Sequence, residues 1–196
     1  MRKKSYLCSI SNFRTHPRIR LNSLRGGLAF GSMLSIWSCM AFHIAGKPFC
    51  AGSDMVGILG LCGMAGAFAA SGLGKYVPKY GIAKFSFFGA SLQIIGWLIA
   101  CIFGNGYLGL IVALITVDIG TQFQQLSNQT GCIAEIPEAS NRANTIFMTL
   151  YFIGGSLGTF LSGLGWSMLG WNGVCIVGAS FAMVSLAITS SRTYSM

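Results

Sequence analysis

Apolar residues run along this chain in six blocks, over residues 27–46, 55–73, 85–104, 106–126, 146–166 and 171–190, separated by short polar stretches. Each block is about 18–21 residues, the length a helix needs to cross ~30 Å of hydrocarbon. No block alternates with the two-residue period of a half-buried strand. The pattern predicts an all-α membrane protein with six transmembrane helices. It divides the chain into residues 1–25, a basic leader, residues 26–191, a six-helix bundle, and residues 192–196, a short tail.

Charge fixes the expected orientation. The chain has 13 Lys and Arg, and all but Lys47 fall on one side of the alternation. That side holds Arg2, Lys3, Lys4, Arg14, Arg18, Arg20 and Arg25, then Lys75, Lys79 and Lys84, then Arg142, then Arg192. Loops rich in Lys and Arg stay cytoplasmic, so both termini are expected on the cytoplasmic face. Composition agrees: 53% of residues are hydrophobic, 9% are charged, and mean hydropathy is +0.65. The net charge of +9 fits cytoplasmic loops against an anionic leaflet. With no basic stretch outside the leader and loops, nucleic acid is not an expected partner.

The leader lacks the apolar core of a secretory signal. It has the Arg, the Ser and the lack of acid of a mitochondrial presequence, yet reads more simply as a basic segment on the membrane surface. Other connections are short. Gly104-Asn105-Gly106 is expected to be a tight outer turn using positive φ. Trp166 and Trp171 flank a second outer turn at Leu169-Gly170, where indole rings favour the headgroup layer. Ile136 to Ser140 is expected to be a longer inner loop broken by Pro137. Of the seven Cys, Cys39, Cys62, Cys101 and Cys175 lie in spans and only Cys50 in an outer loop, with no CxxC pair. His16 and His43 are too isolated for a metal site, and His43 is expected at the membrane interface. No metal or cofactor is expected. With no nucleophile–base pair, metal cluster or phosphate loop, the pattern argues against an enzyme.

Two features inside the spans carry candidate function. The first is small residues at four-residue spacing: Gly154, Gly158 and Ser162 in the fifth span, and Cys62, Gly66, Ala70 and Gly74 in the second. Such faces let helix backbones approach closely. They serve as plain packing surfaces or as surfaces that slide during a transport cycle. The second is the fourth span, where Asp118, Gln122, Gln125 and Gln129 recur at i, i+4, i+7 and i+11 on one helical face. Asp118 lies ~18 Å along that helix at 1.5 Å per residue. A carboxylate there costs at least ~2.5 kcal/mol on insertion scales, so it should face a cavity or a partner. From Gln125 to Thr130 the polar run is expected to be a helix end solvated in the headgroups.

Three stretches bring a family to mind. Gly74-Lys75-Tyr76-Val77-Pro78-Lys79-Tyr80-Gly81 resembles the inner-loop motif G-x-x-x-D-[RK]-x-G of the major facilitator superfamily. Asp118-Ile119-Gly120-Thr121-Gln122, with Ser127-Asn128-Gln129-Thr130, resembles the D-x-G-x-Q…NQT pattern of its tenth helix. Pro137-Glu138-Ala139-Ser140-Asn141-Arg142-Ala143-Asn144-Thr145, with Tyr151 to Gly155, resembles the following loop and helix. Over residues 20–190 the chain is similar to the C-terminal six-helix half of bacterial drug and sugar efflux members. Pro78 replaces the acidic position of the loop motif, so its usual charge interaction cannot form.

The resemblance implies alternating-access transport of a small molecule in a bacterial inner membrane, with proton-coupled antiport as the energy source. Asp118 is then the proton-coupling candidate, with Gln122, Gln125 and Gln129 on the transport path. Lys75 and Lys79, between Gly74 and Gly81, form the cytoplasmic motif, and Glu138 and Arg142 belong to the inner loop. The family holds substrate between two halves, so a partner is implied: an N-terminal half or a second copy. The competing readings are a non-transporting fragment and a membrane-embedded interaction protein.

Overall fold

The computed structural model describes residues 16–72 and 76–193, without the side chains of residues 62, 65–67, 69–71, 78, 192 and 193. Six long helices lie among the described residues: α1 (Pro17–Ala45), α2 (Ser53–Ser71), α3 (Ile82–Phe103), α4 (Tyr107–Glu135), α5 (Ser140–Leu169) and α6 (Trp171–Thr193). A single turn, Val77–Tyr80, precedes α3, and a 3-10 turn, Pro137–Ala139, joins α4 to α5. No strand occurs among the described residues. Five helices, α1, α3, α4, α5 and α6, are long and apolar enough to cross a membrane. The sixth, α2, has 19 residues.

Three helices outrun the spans expected from hydropathy, all at the same end of the bundle. Helix α1 begins at Pro17 rather than near residue 27, with proline in its first turn, where a missing N–H costs nothing. Arg18, Arg20 and Arg25 are therefore helical. Helix α4 continues to Glu135 rather than ending near residue 126, and α5 begins at Ser140 rather than at 146. At 1.5 Å per residue, 29 residues span ~43 Å, so these ends project beyond the ~30 Å apolar layer. Hydropathy reports where lipid ends, whereas the helix continues for as long as its neighbours pack against it. The expected loop from Ile136 to Ser140 is one 3-10 turn, with Ile136 buried beneath it.

The extended ends are tied together. Arg18 Nη1 lies 3.5 Å from Glu135 Oε2, and His16 Nδ1 lies 3.9 Å from Glu135 Oε1. Arg25, buried at 3% exposure, donates to the Ile188 carbonyl of α6 at 3.1 Å.

Helix α1 packs against α5, α4 and α6, while α3 is held between α4 and α6. The α1–α5 crossing is backbone on backbone. A Cβ at Gly154 would collide with the Gly27 carbonyl, and one at Gly158 with the Gly31 carbonyl. The face continues as a hydroxyl contact, Ser38 Oγ to Ser162 Oγ at 2.9 Å, and Ser35 Oγ donates to Gly31 O at 2.8 Å. Gly154, Gly158 and Ser162 thus meet a matching α1 face, Gly27-x-x-x-Gly31-x-x-x-Ser35. For the second small-residue face, Gly66 and Ala70 lie within α2 but their packing is outside the description, as is that of Cys62, and Gly74 lies outside the described residues.

The opposite end corrects three expectations. Gly104 and Gly106 have φ of −65° and −123°, so the turn does not use positive φ. Glycine at 104 answers close approach instead, since a Cβ would strike Ala100 O and lie 2.6 Å from Trp171 Nε1. Positive φ occurs at Gly81 (90°) and Gly170 (59°). His43 is buried at 4% exposure, not interfacial: its Nε2 is 2.9 Å from Gly104 O and its ring stacks on Trp171 at 3.8 Å. Trp171 is likewise inside, at 8% exposure, donating Nε1–H to Ala100 O at 3.0 Å. One histidine–tryptophan stack therefore gathers the ends of α1, α3 and α6.

Candidate functional site

The polar half of α4 is embedded in the bundle rather than solvated. Gln124, Ser127 and Asn128 are fully buried and Asp118 is 5% exposed, while Gln122, Gln125 and Gln129 are half-buried. Within residues 125–130, Ser127 and Asn128 are buried in the bundle rather than solvated, whereas Thr130 is exposed. Neighbouring helices supply what solvent would have supplied, because a polar group left unpaired in a dry interior is costly.

Two polar surfaces emerge, at different angles around α4. The first is the face that the spacing predicted. Asp118 Oδ1 accepts a hydrogen bond from Trp37 Nε1 of α1 at 3.1 Å. Its other oxygen, Oδ2, lies against the α2 backbone, where a Cβ built on Gly63 would be 2.8 Å away. Two turns further on, Gln125 Oε1 accepts from Tyr151 Oη of α5 at 2.9 Å, and the Tyr151 ring stacks on Phe30 of α1 at 4.1 Å. Gln129 Nε2 donates to Asn144 Oδ1 of α5 at 2.8 Å. The face thus turns toward α1, α2 and α5. Beside it, Phe30 and Leu34 of α1 and Phe152, Ser156, Thr159 and Phe160 of α5 line an open groove of about 530 Å³. Trp37 follows Leu34 on the same face of α1, one turn on.

The second surface was not anticipated. Gln124 lies six residues after Asp118, about 120° further round the helix. Its Nε2 donates to Gln93 Oε1 of α3 at 2.7 Å, and its Oε1 accepts from Ser185 Oγ of α6 at 2.5 Å. Gln93 Nε2 in turn donates to Ala29 O of α1 at 2.9 Å and to Thr121 Oγ1 at 2.6 Å. One amide pair therefore joins α1, α3, α4 and α6. Gln93 alone offered a signal, as a solitary amide inside the third apolar block. Trp37 and Tyr151 offered none, since an aromatic residue in a span reads as lipid-facing or core.

The remaining predicted residues lie elsewhere. Lys79 is exposed, with Nζ 5.4 Å from the Tyr80 ring centre, and Gly81 ends that turn with positive φ. Gly74 and Lys75 of the same motif are outside the described residues. Glu138 is exposed on the 3-10 turn, and Arg142 is exposed on the first turn of α5 rather than in a loop. The ion pair at this end of the bundle uses Glu135, which the motif comparison passed over. Among the described residues no three His, Cys, Asp or Glu gather as a metal site would require.

No protein-family model matches the chain. It is 34% identical over 178 residues to "Uncharacterized transporter YgaY" of Escherichia coli O157:H7, covering 91% of this chain and 45% of that protein. It is 24% identical over 180 residues to "Probable transporter SCO4007" of Streptomyces coelicolor, covering 91% and 42%. It is 23% identical over 180 residues to "Inner membrane transport protein YnfM" of Escherichia coli K12, covering 90% and 43%. All three are transporters by name. The chain spans less than half the length of these curated relatives. Together with its apolar helices, the relationship identifies a multi-pass membrane protein with transporter relatives.

Proposed function

We propose that this chain forms a six-helix bundle, with α2 as its sixth spanning helix, in an alternating-access transporter of the major facilitator type. In this reading it exports a small molecule in exchange for protons that enter down their gradient. The observation that carries the reading is Asp118. It is a carboxylate inside a spanning helix with one oxygen held by an indole N–H, on a face whose other members are half-buried amides. A carboxylate at that depth marks an ion or substrate path more often than a structural contact. The adjoining groove between α1 and α5 supplies space for a substrate.

Transport between two bundles requires a second one. It packs against the face holding Asp118, as an N-terminal half or a second copy. The basic segments, from Arg18 to Arg142, lie on the cytoplasmic side of a bacterial inner membrane. The names of the relatives support transport as the function.

The test is Asp118→Asn, which keeps size and most hydrogen bonding but cannot titrate. The chain is co-produced with a matching N-terminal half in everted vesicles. A panel of sugars and amphipathic drugs is screened for pH-driven uptake. Asp118→Asn inserts normally and loses the pH-driven component, while Asp118→Glu keeps part of it. Unchanged pH-driven uptake in Asp118→Asn would leave the carboxylate a packing residue and refute proton coupling through it.

A further inference from the structure

Helix α2 is the least tethered of the long helices. It rests chiefly on α4 and touches α1 only lightly. Most of its large side chains point outward: Ile58, Leu61, Met64 and Phe68 are each more than half exposed. Along it, Gly57 and Gly60 have open space where a Cβ would stand. Gly63 differs sharply. A Cβ there would lie 2.8 Å from Asp118 Oδ2 and 3.0 Å from Trp37 Cζ2. Real Cβ atoms hold ordinary contact at roughly 3.5–4.0 Å, so no side chain fits without displacing the carboxylate, the indole or α2 itself.

We infer that Gly63 is a positioning residue whose bare backbone seats α2 over the Asp118–Trp37 pair, so that the seating of α2 controls access to the open carboxylate oxygen. The geometry divides the two oxygens of Asp118. Oδ1 is fixed by the Trp37 N–H of α1, an element locked to α5 through glycine backbone contacts. Oδ2 faces α2 at Gly63, on the most lightly packed of the long helices among the described residues. A rocking of α2 therefore uncovers Oδ2 and leaves the Trp37 bond in place. This rests on the reading that Asp118 lies on the transport path, but it makes a separate claim about what covers the group.

The test uses the 196-residue chain in lipid nanodiscs and the hydrophobic reagent dicyclohexylcarbodiimide, which adds covalently to a carboxyl group. Adduct at Asp118 is followed by mass spectrometry of peptides, with Asp118→Asn as the blank. Overpacking in a tight contact shifts an equilibrium by about fivefold or more, so Gly63→Ala labels at Asp118 at least that much faster than the parent chain. Gly57→Ala and Gly60→Ala label at the parent rate. Trp37→Phe, which frees Oδ1 and trims the ring beneath Gly63 without pushing α2 outward, labels more slowly than Gly63→Ala. Parent-rate or slower labelling of Gly63→Ala overturns the inference, as does an equal response in Gly57→Ala or Gly60→Ala. If Trp37→Phe labels as fast as Gly63→Ala, the indole is the cover and α2 is not. Faster labelling of Gly63→Ala combined with unchanged pH-driven uptake in Asp118→Asn keeps the cover and removes the coupling role.

Discussion

Gly158→Ala adds one methyl group at the place where α5 crosses α1. The added Cβ meets the Gly31 carbonyl oxygen, carbonyl carbon and Cα, all backbone, so no rotamer change can relieve the overlap. Restoring ordinary contact requires the two helices to part by about 1 Å, since carbon atoms rest at roughly 3.5–4.0 Å. Helices in lipid associate through close packing rather than through a hydrophobic drive. Parting them also strains the Ser35 Oγ contact to Gly158 O across the crossing, at 3.3 Å. Overpacking of this kind costs about 1–3 kcal/mol. For a chain of this size that corresponds to a fall of roughly 3–10 °C in Tm. The assay is thermal unfolding of the purified chain in detergent, followed by tryptophan fluorescence. Gly163→Ala is the control, because it lies on the same helix and its Cβ would meet nothing within 4 Å. It should leave Tm unchanged or slightly raised, as alanine favours helix by up to ~1 kcal/mol. A Gly158→Ala protein that melts with the parent, or a Gly163→Ala protein that falls equally, refutes the crossing as described.

Two further outcomes follow from the polar surfaces and the charge pattern. Gln124→Leu removes both bonds of the buried amide and leaves Gln93 Oε1 and the Ser185 hydroxyl without their partner, so Tm should fall by the equivalent of about 1–3 kcal/mol; a variant as stable as the parent would show that the network contributes nothing. Reporter fusions at Lys79 and Asn141 should read cytoplasmic, and fusions at Gly52 and Asn105 should read external, because translocating Lys and Arg is disfavoured; a cytoplasmic signal at Asn105 would sink the six-helix arrangement.

The all-helical class and the places of the six long helices were legible because each apolar block falls largely within one helix. Helix ends beyond the lipid were not legible. Residues 17–26 carry Arg18, Arg20 and Arg25 and look like a leader, yet they fold because Arg18 reaches Glu135 and Arg25 reaches Ile188, both more than a hundred residues away. The face through Asp118 and Gln125 could be read from spacing alone, since every member lies on one helix. Its partners could not: Trp37, Gly63 and Tyr151 lie on three other helices, and only tertiary packing brings them there. Gly154 and Gly158 were readable as a close-packing face, whereas the matching Gly27 and Gly31 drew no notice. Glycine at 104 was read as a conformational need and is a steric one.

The bundle divides into parts held to different degrees, and the division bears on mechanism. Helices α1 and α5 meet backbone on backbone at glycines, where a Cβ would not fit. Helices α3, α4 and α6 are joined to one another and to α1 by buried amides, each of whose bonds would have to break in a dry interior before any could reform. We propose on this ground that the small-residue face of α5 is a fixed joint rather than a sliding surface. Among the described residues, helix α2 rests chiefly on α4 and only lightly on α1. In the proposed transporter, motion within the bundle concentrates in α2, while larger rearrangement falls to the bundle moving as a body against a second one. Asp118 lies between α1 and α2, with one oxygen held by α1 and the other facing α2; in the proposed mechanism a proton is taken up there in one seating of α2 and kept from water in the other.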